Sequence, residues 1–181
     1  MKKFIMVLFL LGLSSISARP VAAQNKNFSG SWRLDAGRCS LSEISPYFQP
    51  DIRMDIRHTE GRISIKKAII GTTQTINREA SYTTDRKESL HSGQGIKDLK
   101  GVCYWENDRL IIDGEEEGAM AAMSSGGGEP ARTEYFRYSI REEYSLSPDG
   151  KTLTIVTVIR VPEGEKKGTY VFDRTDGLPV C

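Results

Sequence analysis

The stretch Asn27-Phe28-Ser29-Gly30-Ser31-Trp32-Arg33-Leu34 decides how this 181-residue chain is read. A Gly-x-Trp opens a strand-like run here. The motif alone is weak, since any strand can contain it, and its weight comes from the rest of the chain. Downstream of Leu34 apolar residues recur at period two, the signature of strands with one buried face. Ile52, Met54 and Ile56 alternate with Arg53, Asp55 and Arg57, and Ile63, Ile65 and Ile69 share one face of residues 62–70. Ile76, Ala80 and Tyr82 do the same over 72–84. A short strand at 89–91 precedes one at 102–106, which turns through Asn107-Asp108 into 109–113. The longest run, 132–147, carries Phe136, Tyr138, Ile140, Tyr144 and Leu146 on one side. Ser147-Pro148-Asp149-Gly150 is a strong turn, because proline presets φ and glycine tolerates a positive φ. Segments 151–161 and 166–174 complete the meander, which ends Tyr170-Val171-Phe172-Asp173-Arg174.

The pattern holds about ten strands and no amphipathic helix of three turns. Antiparallel strands with one apolar face must bury it, and closing the sheet on itself does so while removing unpaired edges. The expected fold is all-β, a single antiparallel up-and-down β-barrel of about 8–10 strands. A two-sheet sandwich has the same local pattern. Two segments read as something other than strand. Residues 36–49 have the length and position of a loop over the barrel's open end. Residues 114–131, with Glu115-Glu116-Glu117 and Gly126-Gly127-Gly128, read as a flexible connection.

The first 23 residues carry an address. Lys2 and Lys3 precede an apolar run from Phe4 to Leu13, and small residues follow to Val21-Ala22-Ala23. This reads as a signal peptide, residues 1–23, cut after Ala23. The run is far short of the ~20 apolar residues of a membrane span, and no cysteine near the cut offers a lipid anchor. The barrel domain is then 24–181, exported to a periplasm or the exterior. Removing Lys2, Lys3 and Arg19 leaves 22 basic against 24 acidic residues, a net charge near −2. That balance argues against nucleic acid or an anionic membrane surface as partner, both of which favour clustered positive charge.

Four phrases carry a resemblance: Phe28 to Leu34, Tyr82-Thr83-Thr84-Asp85, Trp105-Glu106-Asn107-Asp108-Arg109-Leu110-Ile111-Ile112, and Tyr144 to Thr154 with its Ser-Pro-Asp-Gly-Lys-Thr-Leu-Thr ending. Together they resemble a group of small exported bacterial lipocalin-like (calycin-type) proteins of uncharacterised function. The chain departs from that group at Asn107-Asp108, where Asp-Gly is preferred, and in carrying cysteines. The resemblance favours the barrel over the sandwich. It implies that Trp32, after Gly30, plugs the closed end and that Arg174 stacks on it.

Reactive groups are few, so an enzyme is not expected. His58 reads as a rim residue at a strand end, and His91 as surface. No nucleophile elbow, phosphate loop or Cys-x-x-Cys occurs. The Glu115–Glu117 run reads as a solvated charge run, so neither a metal nor any other cofactor is expected. Glu142 stands out because it shares parity with Ile140 and Tyr144. An inward carboxylate is costly unless paired, and Arg78, in parity with Ile76 and Tyr82, is the expected partner. The alternatives are a bulge turning Glu142 outward or a rim position reached by water.

Arg78, Tyr82, Trp105, Phe136, Tyr138, Glu142 and Tyr144 are thus the candidate cavity lining for a small apolar or amphipathic ligand. The other reading is a filled core whose loops bind a protein, as an inhibitor would. Cys39, Cys103 and Cys181 are an odd set in an oxidising compartment. Counting strand reversals puts Cys39 and the start of the Cys103 strand at the open end. A Cys39–Cys103 bridge is therefore expected, with Cys39–Cys181 as the alternative. Ligand identity and oligomeric state are not legible.

Overall fold

The computed structural model describes residues 26–44, 51–72, 75–122, 132–162 and 164–175. The proposed leader, Cys181 and residues 123–131 of the expected loop lie outside these. The described chain forms β1 (Gly30–Leu34), β2 (Asp51–Thr59), β3 (Arg62–Ile70), β4 (Thr75–Thr83), β5 (Asp85–His91), β6 (Leu99–Glu106), β7 (Arg109–Ala122), β8 (Arg132–Leu146), β9 (Thr152–Val161) and β10 (Gly164–Arg174). All ladders are antiparallel, and each strand pairs with its successor except β4 with β5. The first strand pairs with the last, Trp32 opposite Arg174 and Leu34 opposite Phe172. The sheet therefore runs β4-β3-β2-β1-β10-β9-β8-β7-β6-β5, with β4 and β5 side by side but unladdered. One sheet whose first and last strands pair is a barrel open only along that seam, which removes the sandwich.

Turn chemistry sets the register. Gly150 at φ +68 and Asn107 at φ +58 take the left-handed conformations their hairpins need. Ser147 N donates to Thr152 O at 2.9 Å and closes the β8–β9 turn. The closed half is a solid core: Phe28, Trp32, Ile56, Ile63, Cys103, Leu110, Tyr144, Leu153, Ile155 and Phe172 pack as one buried cluster. The Trp32 indole donates from Nε1 to Phe28 O at 3.1 Å. Arg174 lies over the same ring at 4.6 Å from its centre.

Three expectations need correction. Residues 114–122 are not a loop but the second half of β7, in register with β8 from Gly114↔Ile140 to Ala122↔Arg132. The described part of the 36–49 loop starts with a single 3-10 turn, Ala36–Arg38, and then follows β10. Ser40 pairs with Thr169, and Leu41 and Ile44 fill the space over Gly168, where a Cβ would meet Ile44 Cδ1 at 2.6 Å. Cys39 and Cys103 are both free thiols, so the expected bridge is absent. The strand count was sound, but Cys103 sits well inside β6, buried in the core cluster. Cys39 instead faces β10, four strands away in the sheet order, where its Sγ accepts from Val171 N at 3.4 Å.

Candidate functional site

Above the solid floor the interior changes character. Alternation along β3, β4, β7 and β8 turns Lys67, Arg78, Glu116 and Glu142 inward at mid-height, Lys67 opposite Arg78 in register and Glu116 opposite Tyr138. They form a waist of two ion pairs. Lys67 Nζ lies 3.4 Å from Glu142 Oε1, while the second oxygen, Oε2, accepts from Tyr144 OH at 2.6 Å. Arg78 pairs with Glu116 through Nη1 and donates from Nη2 to Glu117 O at 2.9 Å. Toward the mouth stand Ile69, Ile76, Ile140 and Ile159, all half-buried, with Phe136 40% exposed. The waist side chains keep exposed surface: 24% for Lys67, 12% for Glu142, 27% for Arg78 and 22% for Glu116. The side chains of the open half keep more accessible surface than the core cluster below them.

Electrostatics follow from that placement. Burial pulls the Lys67 ammonium down, but Glu142 and then Glu116 outweigh it and hold its pKa above the ordinary lysine range. Burial, helped by Glu116, pushes the Tyr138 phenol up to about 12. Burial likewise raises Tyr82, and burial with Glu142 raises Tyr144 well above its usual value. At neutral pH the tyrosines are uncharged hydrogen-bonding groups beside a charged, self-neutralising waist.

Every residue of the expected lining is inward, but not all share one site. Tyr82 and Tyr144 belong to the buried core below the waist. Trp105 lies lower still, 5.8 Å from Phe28 and 5.8 Å from His58, as part of the floor. Arg78, Tyr138, Glu142 and Phe136 do gather in the open half. The expected Arg78–Glu142 pair is corrected: each has a different partner, because Lys67 and Glu116 also point inward. His58 is not simply a rim residue, since its Nδ1 accepts from Phe28 N at 3.4 Å. His91 is not surface. Its ring meets Tyr82 edge-on at 5.9 Å, and both its nitrogens are buried without a partner among the described residues.

Lys67 was missed although it shares parity with Ile63, Ile65 and Ile69; that periodicity was the available signal. Glu116 and Glu117 were hidden in a run read as solvated charge. Glu117 is 3% exposed on the outer side of β7. Its carboxylate accepts from Gln94 N at 2.9 Å, Gly95 N at 2.8 Å and Ile96 N at 2.5 Å. Thr157, opposite Glu142 in register, is 2% exposed and its Oγ1 has no partner among the described residues. Two clefts stand out. One of about 470 Å³ is lined by residues of β2, β3 and β4, with Lys67 and Arg78 among them beside Arg53, Lys66, Asn77 and Glu79. The other, about 420 Å³, lies by His58, Gly61 and Trp105 below the floor. Among the described residues no group of three or more His, Cys, Asp or Glu is placed to hold a metal ion, and no helix is long and apolar enough to cross a membrane.

No protein-family model matches the chain, and no curated protein does. Solved structures do match. The zebrafish ileal bile acid-binding protein complexed with cholic acid is similar at a TM-score of 0.50 and 13% identity, over 82% of this chain and 98% of that one. A point mutant of the fluorescent protein UnaG is similar at a TM-score of 0.51 and 10% identity, over 83% of this chain and 97% of that one. At such identities the likeness bears on the fold alone, and it agrees with the ten-strand antiparallel meander: the chain folds as a lipocalin-like, calycin-type β-barrel.

Proposed function

We propose that this chain is an exported, non-enzymatic barrel that binds a small apolar or amphipathic molecule in the open half of its interior. The observation that carries the reading is the change of exposure along the barrel. Most inward side chains below the waist are buried, while Lys67, Arg78, Glu116 and Glu142 at it and Ile69, Ile76, Ile140 and Ile159 above it keep accessible surface, flanked by Phe136 and Tyr138. A concave, mainly apolar space with a few fixed polar groups is the usual form of a small-molecule site. A similar barrel complexed with cholic acid gives the reading a precedent in fold. The waist would orient a polar head while the mouth holds the apolar body.

The test is titration of the native chain with Nile red, an uncharged environment-sensitive dye, with native mass spectrometry of protein purified from its own host. A saturable 1:1 signal and a retained mass above that of the chain are expected. No saturable signal and no retained mass would sink the container and leave the loop-mediated protein partner. The export half is tested separately: the chain recovered outside the host's cytoplasm should begin at Gln24, and one still beginning at Met1 would remove it.

A further inference from the structure

We propose that the barrel selects an uncharged, hydroxyl-bearing amphiphile and discriminates against carboxylates such as fatty acids, an inference that rests on the proposed binding function and specifies its ligand. The waist holds two cations and two carboxylates, and each cation is already matched by the chain's own acid. Arg78 is held by Glu116 and by the Glu117 carbonyl, and Lys67 lies beside Glu142. A ligand carboxylate at this depth would be a third anion against two cations. It would have to displace Glu116 or Glu142 into a half-buried position without a partner, which is the costly case for any charge removed from water.

The polar groups left over suit a hydroxyl. A carboxylate accepts at about four lone-pair positions, and the pairs seen here use only some of them, so Glu116 and Glu142 can still accept from a ligand O–H. Thr157 supplies a second, independent sign. Its Oγ1 is buried and unpartnered among the described residues, it shares the inward parity of Ile155, and it stands opposite Glu142 in register. A hydroxyl can donate to Glu142 and accept from Thr157 together. An ionised carboxylate can only accept, and gains nothing from the two acids.

The experiment is displacement of Nile red from the native chain at pH 8.5 by oleyl alcohol, monoolein and oleate, which share a hydrocarbon tail and differ in the head. Oleyl alcohol and monoolein should displace the dye with at least about ten-fold lower Kd than oleate, the scale set by one unmatched, partly solvated charge. Glu116→Gln frees Arg78 and should narrow or reverse that ratio. Glu142→Gln frees Lys67 and should do the same if the first variant fails to fold. Glu79→Gln, on the outer face of β4, should leave the ratio unchanged. Oleate binding as tightly as the alcohol to the native chain overturns the head-group preference while leaving the container standing, as does an unchanged ratio in both folded variants. A native chain that gives no saturable Nile red signal overturns both.

Discussion

Gly30, Trp32 and Arg174 explain one another. Gly30 sits at φ +149, and a Cβ there would lie 3.0 Å from Arg174 Nη1. The glycine leaves room for the guanidinium that covers the Trp32 ring. Arg174 is fixed from its other side, where Nε donates to Gly150 O at 3.0 Å. A guanidinium stacked on an indole contributes about 0.5–2 kcal/mol. At roughly 2–4 °C per kcal/mol for a domain of this size, Arg174→Ala should lower Tm by about 1–8 °C, leaving Nile red affinity unchanged because the site is at the other end. Calorimetry showing no change in Tm would deny the contact its role. His58 gives a pH prediction at the same scale. Burial lowers its pKa below the usual value, and protonating Nδ1 would break the bond from Phe28 N. The unfolded chain therefore takes up this proton first as pH falls. The contribution is fully present above about 6.5 and is lost as pH falls through the lower, folded-state value. Urea denaturation should thus show a stability advantage over His58→Gln that shrinks between pH 7.5 and 5, and a constant difference would count against it.

At the scale of elements, the strands easiest to read were those whose partners are also regular. β2, β3, β4, β8 and β9 alternate cleanly, and their limits in the structure fall within a few residues of the periodic runs. β7 was legible only as far as Asp113. Apart from Met120, its second half is built of Glu, Gly and Ala, which have poor strand propensity, and what makes it a strand is non-local. It has a long partner in β8, and its carboxylates find donors on three other segments: Glu115 on Lys100 N at 3.1 Å, Glu116 on Arg78, and Glu117 on the amides of residues 94–96. None of those donors lies close to β7 in sequence, so no local window contains them, and Glu116, one of the four waist residues, was lost with them. Glu142 was legible because it interrupts an apolar face, though its partner was not, since parity alone does not choose between Lys67 and Arg78. The Glu117 clamp predicts a local effect. Three charge-assisted bonds are made, but the freed amides can turn to water, so Glu117→Ala should cost about 1–3 kcal/mol. Amide exchange at Gln94, Gly95 and Ile96 should rise before that of β6 or β7. Exchange rising equally throughout the barrel would show that the clamp holds the whole sheet rather than this loop.

Across the whole molecule the two ends of the barrel divide the work. Stability comes from the closed half, where β1 and β10 join the sheet to itself and Phe28, Trp32, Ile155 and Phe172 leave no accessible surface to speak of. The open half gives up packing for access, and the seam between β4 and β5 lacks a ladder along its whole length. The same substitution should therefore have different consequences at two positions on one face of one strand. Ile155, opposite Tyr144 and Tyr170 in register, is 1% exposed. Truncation there leaves a cavity that its neighbours cannot fill, so Ile155→Ala should cost about 2–5 kcal/mol. Ile159, four residues on and opposite Ile140, is only half-buried, in the half proposed to hold the ligand. Ile159→Ala should cost less than half as much, since it enlarges an existing space and makes no new void. It should also alter Nile red affinity, which Ile155→Ala should leave alone as long as the protein stays folded. Chemical denaturation and dye titration of both variants give the comparison. Equal losses of stability with dye binding unchanged in both would mean that the upper half is packed like the lower, and the division of the barrel into a floor and a vessel would have to be given up.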